Sequence, residues 1–122
     1  VAHVTMRTPI RDILVIFEQT RHDAVLVLDE EQRYIGLVEF EDVRSFIAER
    51  ELVQGLVAAD VMVTSLKPVY EDTTLDVILK LFDDYGWTVL PVLANDGSRR
   101  AIGLVNAYDT QTYYRRSVTR ES

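Results

Sequence analysis

Apolar residues fall at positions 10, 13, 14 and 17 of the chain, and again at 75, 78, 79 and 82. Both sets follow the i, i+3, i+4, i+7 stripe that puts four side chains on one helical face, so each predicts an amphipathic helix. Thr8 with Pro9, and Thr73 with Asp76 three residues on, supply the expected helix starts. A short apolar run follows each helix, Ala24–Leu28 and Val89–Leu93, and its length suits a buried strand. Each strand enters a polar turn, Asp29-Glu30-Glu31-Gln32 or Ala94-Asn95-Asp96-Gly97-Ser98, the second with Asn and Gly for tight geometry. Then come Ile35-Gly36-Leu37-Val38 and Ile102-Gly103-Leu104-Val105. They lead into helices carrying Asp42, Val43, Phe46 and Ile47, and Asp109, Thr110, Tyr113 and Tyr114.

The pattern is a repeat. Leu14 and Leu79 lie 65 residues apart and Gly36 and Gly103 lie 67 apart, which places a two-residue insertion in the second turn. Each unit reads strand, helix, strand, strand, helix, with leading strands expected near Ala2–Met6 and Leu66–Tyr70. The predicted organisation is residues 1–50 as the first unit, 51–61 as a short helical connector, and 62–122 as the second unit. A unit of about 60 residues folds marginally alone, so the two are expected to share a core.

Composition narrows the function. The chain has 122 residues, of which 48% are hydrophobic and 27% charged, which fits a globular domain. It lacks cysteine, which excludes disulfides, thiolate nucleophiles and cysteine metal sites. The net charge of −7 opposes nonspecific binding to nucleic acid, while local Arg and Lys residues leave a small nucleotide admissible. No apolar run approaches the roughly 20 residues of a membrane span. The start at Val1, without Met or signal peptide, is read as that of a segment cut from a longer protein.

The segments Gly36-Leu37-Val38-Glu39-Phe40-Glu41-Asp42 and Gly103-Leu104-Val105-Asn106-Ala107-Tyr108-Asp109 share a Gly-apolar-apolar-x-x-x-Asp signature opening the last helix of each unit. With Leu90-Pro91-Val92 and Asp60-Val61-Met62, they resemble CBS motifs, and the two copies resemble the tandem pair called a Bateman module. The resemblance implies an α/β (α+β) fold of two βαββα units related by pseudo-twofold symmetry, working as a regulatory domain and not as an enzyme. Ala58-Ala59-Asp60-Val61-Met62, and the stretch from Gly103 to Tyr113-Tyr114-Arg115-Arg116, look most like the cytoplasmic region of bacterial CLC-type chloride channels and transporters. That likeness implies a partner transmembrane domain, a place on the cytoplasmic side of the cell membrane, and a homodimer. The alternatives are a Mg²⁺-sensing module of a cation transporter and an accessory domain of an enzyme.

The resemblance also implies a ligand, an adenosine nucleotide such as AMP, ADP or ATP. The signature carboxylates Asp42 and Asp109 would accept from the two ribose hydroxyls. Asn106 stands where the family has Ser or Thr and can replace the hydroxyl; Glu39, at the matching place, would repel a phosphate. Trp87 and His22 lie four residues before Pro91 and Leu26 and would face the base; Trp87 could serve with Asp42, or His22 with Asp109. Each has a structural alternative: helix capping for Asn106 and Asp109, core closure for Trp87, an exposed helix end for His22. No nucleophile–base pair is visible, so no catalytic residue is assigned. The acidic stretches Asp29-Glu30-Glu31, Glu71-Asp72 and Asp83-Asp84 read as solvated turns and helix faces, and no metal ligand is assigned.

Overall fold

The computed structural model describes residues 2–20, 23–49 and 54–108, and these divide into two compact units, Val1–Leu66 and Lys67–Ser122. In the first, β1 (His3–Val4), α1 (Ile10–Thr20), β2 (Ala24–Leu28), β3 (Tyr34–Glu39) and α2 (Phe40–Glu49) are followed by a short α3 (Ala58–Val61). The second contains β4 (Val69–Tyr70), α4 (Leu75–Tyr85), β5 (Val89–Leu93) and β6 (Ala101–Asn106). The sheet orders are β1-β2-β3 and β4-β5-β6. In each, the first pair is parallel and the second antiparallel. This is the mixed α/β architecture expected from the repeat. The last helix of the second unit, expected from Asp109, lies outside the described residues.

The offsets read from the sequence recur in the register. Val4 pairs with Val27 and Val69 with Val92, 65 residues on. Val27 pairs with Gly36 and Val92 with Gly103, so the second partner has moved by 67. Asp29 N–H donates to the Arg33 carbonyl, and Ala94 N–H to that of Arg100, two residues farther away. Gln32 and Arg99 take matching left-handed conformations, with φ of 65° and 64°, so the insertion lengthens the turn without changing its exit.

The leading strands are shorter than expected: a threonine turn ends the first at Val4, and the second begins only at Val69 and ends at the matching threonine turn. Thr5 N–H donates to Thr8 Oγ1 at 3.0 Å, and Tyr70 N–H to Thr73 Oγ1 at 2.9 Å. Those hydroxyls fold the chain from strand to helix. Thr74, not Thr73, is the N-cap of α4, and its side chain makes no capping hydrogen bond. A proline also erodes the second sheet. Leu26 N–H donates to the Ala2 carbonyl, but Pro91 at the matching place has no N–H to give.

The core of the first unit lies between helix and sheet. Ile10, Ile13 and Phe17 of α1 meet Val25 and Val27 of β2, Val38 of β3, Val43 of α2 and Ala58 of α3, all buried. Side chains of this size each contribute about 1.5–3 kcal/mol when fully buried. Phe17 meets Phe40 edge to face, with centroids 5.5 Å apart. The connector is less helical than its sequence suggests. Among its described residues only Ala58–Val61 forms a helix, because Gly55 turns left-handed (φ 85°) and Val57 is extended (φ −126°, ψ 171°). Val57 N–H is held by Asp60 Oδ2 at 2.8 Å. This segment is hydrogen-bonded to the first unit: Ile10 N–H to Leu56 O, Ala58 N–H to Thr8 O, and a reciprocal pair between Leu37 and Val63.

Candidate functional site

The signature turns are built alike in the two units. Phe40 N–H, just past β3, donates to the Asp23 carbonyl at 2.8 Å. Ala107 N–H, just past β6, donates to the Thr88 carbonyl, also at 2.8 Å. Each clasp ties the start of a helix to the residue just before the middle strand, and so fixes where the signature side chains emerge.

In the first unit, half-buried Glu39 ends β3 and exposed Asp42 stands in the first turn of α2 beside Glu41. Arg44 does not turn to Asp42: its Nε and Nη2 both donate to Glu41 Oε2, at 3.3 and 2.8 Å. Acidic groups at a helix start complement its dipole and oppose a phosphate there. Upstream, Gly36 lies against Met62 and Val63, just past α3. A Cβ on it would sit 3.0 Å from Val63 O and 3.1 Å from Met62 Sδ, so glycine is what lets Val63 pair with Leu37.

In the second unit, exposed Asn106 ends β6 where Glu39 ends β3. The turn therefore carries no formal charge at that position. Asp109 and His22 lie outside the described residues, so Asp42, Asn106 and Trp87 are the candidate residues whose positions are seen. Trp87 is half-buried and has a partner that sequence reasoning missed. Its indole stacks on Tyr85, with centroids 4.3 Å apart and planes within 9°. Lys67 Nζ donates to Tyr85 Oη at 3.0 Å, and that bond holds the lysine ammonium above its ordinary pKa. Gly86, left-handed at φ 67°, caps α4 through its N–H to the Phe82 carbonyl and reverses the chain between the two rings. The Tyr-Gly-Trp order was the available signal, since a glycine after a helical stripe foretells such a reversal.

The acidic stretches are engaged locally. Asp29 and Glu31 hold Arg33, Glu71 and Asp72 hold Asn95, and Asp84 pairs with Lys80. Among the described residues, no group of three or more His, Asp or Glu side chains gathers as a metal site. Nor is any described helix long and apolar enough to cross a membrane.

Two α/β units with matching clasps and registers define a tandem repeat of one fold, and comparison with known proteins says which. The CBS domain family model matches residues 1–49 and again 57–113, so the chain belongs to the CBS domain family and is a CBS pair. No curated protein sequence matches it significantly. Among solved structures, the CBS-pair protein CBSX2 from Arabidopsis thaliana is similar over 100% of this chain and 90% of its own, at 19% identity and a TM-score of 0.80. The CBS domain pair of protein MJ0100, in complex with 5'-methylthioadenosine and S-adenosyl-L-methionine, covers 96% of this chain and 91% of its own, at 18% identity and a TM-score of 0.79. The cytosolic domain of the Mg²⁺ channel MgtE, in complex with ATP, matches 92% of this chain over 44% of its own, at 22% identity and a TM-score of 0.75. At these identities the likeness establishes the fold.

Proposed function

We propose that this CBS pair is a regulatory module that senses an adenosine nucleotide, serving a CLC-type membrane anion (chloride) channel or transporter from the cytoplasmic side of the membrane. The observation that carries the nucleotide reading is the repeated clasp at Phe40 and Ala107. It holds two signature turns in one geometry, while their leading side chains, Glu39 and Asn106, differ in charge. In this reading Asp42 and Asp109 accept from ribose hydroxyls, and Trp87 and His22 serve the base. The adenosine ligands of MJ0100 and the ATP of the MgtE domain, both on this fold, add support. The channel reading rests on the likeness of Ala58–Met62 and of the stretch from Gly103 to Arg116.

Thermal shift with AMP, ADP, ATP, S-adenosylmethionine and Mg²⁺, followed by calorimetry, tests the first part. A ligand at about 100 times its Kd stabilises the folded chain by about 2.7 kcal/mol, which is readily visible. Absence of any shift with every adenosine compound at millimolar concentration would overturn it. Chloride efflux from vesicles holding the full-length protein, with and without the best nucleotide, tests the second. A magnesium-sensing reading is favoured by the MgtE likeness alone, and the Mg²⁺ arm of the same screen discriminates it. The local pairing of Asp29, Glu71 and Asp84 argues against it.

A further inference from the structure

We infer that Tyr85, anchored by Lys67, is a positioning residue that fixes the indole of Trp87 as a one-sided stacking platform for the base of the nucleotide. This inference rests on the reading of Trp87 given above and adds two residues to it. Four observations carry it, all within the second unit. The Tyr85 and Trp87 rings are parallel at 4.3 Å, so one indole face is covered and a base can stack only on the other. Tyr85 is itself 49% exposed, too open for its ring to be explained as core packing. Its hydroxyl accepts from Lys67 Nζ, 18 residues away in sequence, which ties the phenol to the segment just before β4. The left-handed Gly86 between the two rings makes the stack possible.

A platform held in place before the ligand arrives loses less rotamer freedom on binding, and so binds more tightly. Among the described residues the first unit has no partner matching Tyr85, since Thr20 stands at that place and its hydroxyl donates to the Ile16 carbonyl at 2.6 Å.

Trp87 is the chain's single tryptophan, so its emission reports this site without interference. The test compares Tyr85→Leu and Tyr85→Phe with the unmodified chain, free and titrated with adenosine and with ATP. Tyr85→Leu should red-shift the emission of the free protein and lower its anisotropy. It should also weaken adenosine, which has no phosphate for Glu39 to repel, by about three- to tenfold, or about 0.7–1.4 kcal/mol at 1.4 kcal/mol per decade. Tyr85→Phe keeps the ring but loses the Lys67 bond, so its affinity should fall between that of the unmodified chain and that of Tyr85→Leu. Unchanged emission and anisotropy in free Tyr85→Leu would overturn the inference, as would a Tyr85→Phe that matches the unmodified chain in emission, anisotropy and affinity. Were the unmodified chain to bind no nucleotide, the nucleotide reading would fall, and the free-protein comparison of the two variants would still decide whether Tyr85 positions Trp87.

Discussion

At the scale of single residues, the sharpest constraint falls on Gly36. Its φ is not what demands glycine; the space is. A methyl group there would meet a backbone carbonyl, Val63 O, that already accepts the Leu37 N–H at 3.0 Å. Neither β3 nor the segment just past α3 can retreat without breaking that pair. Gly36→Ala should therefore destabilise the protein by about 1–3 kcal/mol, the usual cost of overpacking, read as a lower urea midpoint with an unchanged slope. An unaltered midpoint would mean that this segment yields freely. Asp109, outside the described residues, poses a different question, because its place in the signature allows either a cap or a ligand role. Asp109→Ala should weaken a bound adenosine nucleotide by about 1–3 kcal/mol in calorimetry, the scale of hydrogen bonds to a charged group. The stability of the free protein should fall by no more than a helix cap contributes, about 1 kcal/mol. Equal losses of stability with unchanged affinity would assign it to capping.

At the scale of elements, the repeat was legible because two periodicities alternate along the chain. The stripe at 10, 13 and 17 is buried as a helical face, and the Ala24–Leu28 run is buried as a strand. The two-residue insertion was legible too, since matched glycines count it directly. Three features were not. Thr8 and Thr73 look like caps, but their hydroxyls are engaged by backbone N–H groups three residues upstream, a choice set by where the strand ends. The connector looks helical by composition, yet Gly55 and the pairing of Val63 with Leu37 draw much of it out along the first unit. The Lys67–Tyr85–Trp87 stack depends on contacts between distant residues, and periodicity does not encode those. The turns carry a testable electrostatic consequence. Asp29 is held below the ordinary carboxylate range first by the backbone N–H of Arg33, Asp96 by its bond to the Ser98 side chain, and Asp76 by that to the Thr74 hydroxyl. A depressed carboxylate contributes stability above its unfolded pKa of about 3.9, and that stability is lost as pH falls toward its folded value. Between about pH 5 and about pH 3 the thermal midpoint should drop. An Asp29→Asn, Asp96→Asn double variant should start lower at neutral pH and drop less. Parallel curves for the two proteins would rule out a part for these turns.

At the scale of the whole molecule, two proposals can be tested on the intact chain. The first is self-association, expected from the CBS pair and from the aromatic residues Phe46, Tyr113 and Tyr114 of its sequence, the last two outside the described residues. Light scattering at about 100 µM should exceed the 14.0 kDa of one chain, since a dimer of micromolar Kd, about 8 kcal/mol, is well populated there. The second is stoichiometry, which draws on both repeats at once. The two signature turns share one backbone clasp, so geometry alone predicts two equal sites. Charge predicts otherwise. Glu39 places a carboxylate at the end of β3, and Glu41 with Asp42 adds two more in the first turn of α2. A phosphate approaching that helix start would compete with carboxylates for the same N–H groups. Asn106, at the matching place in the second unit, is neutral and can donate. We therefore expect one nucleotide per chain by calorimetry, and a value rising toward two in Glu39→Thr. The preference should fade for adenosine, which has no phosphate to repel. Two equivalent nucleotide sites in the unmodified protein would show that backbone geometry, and not the charge at position 39, decides occupancy.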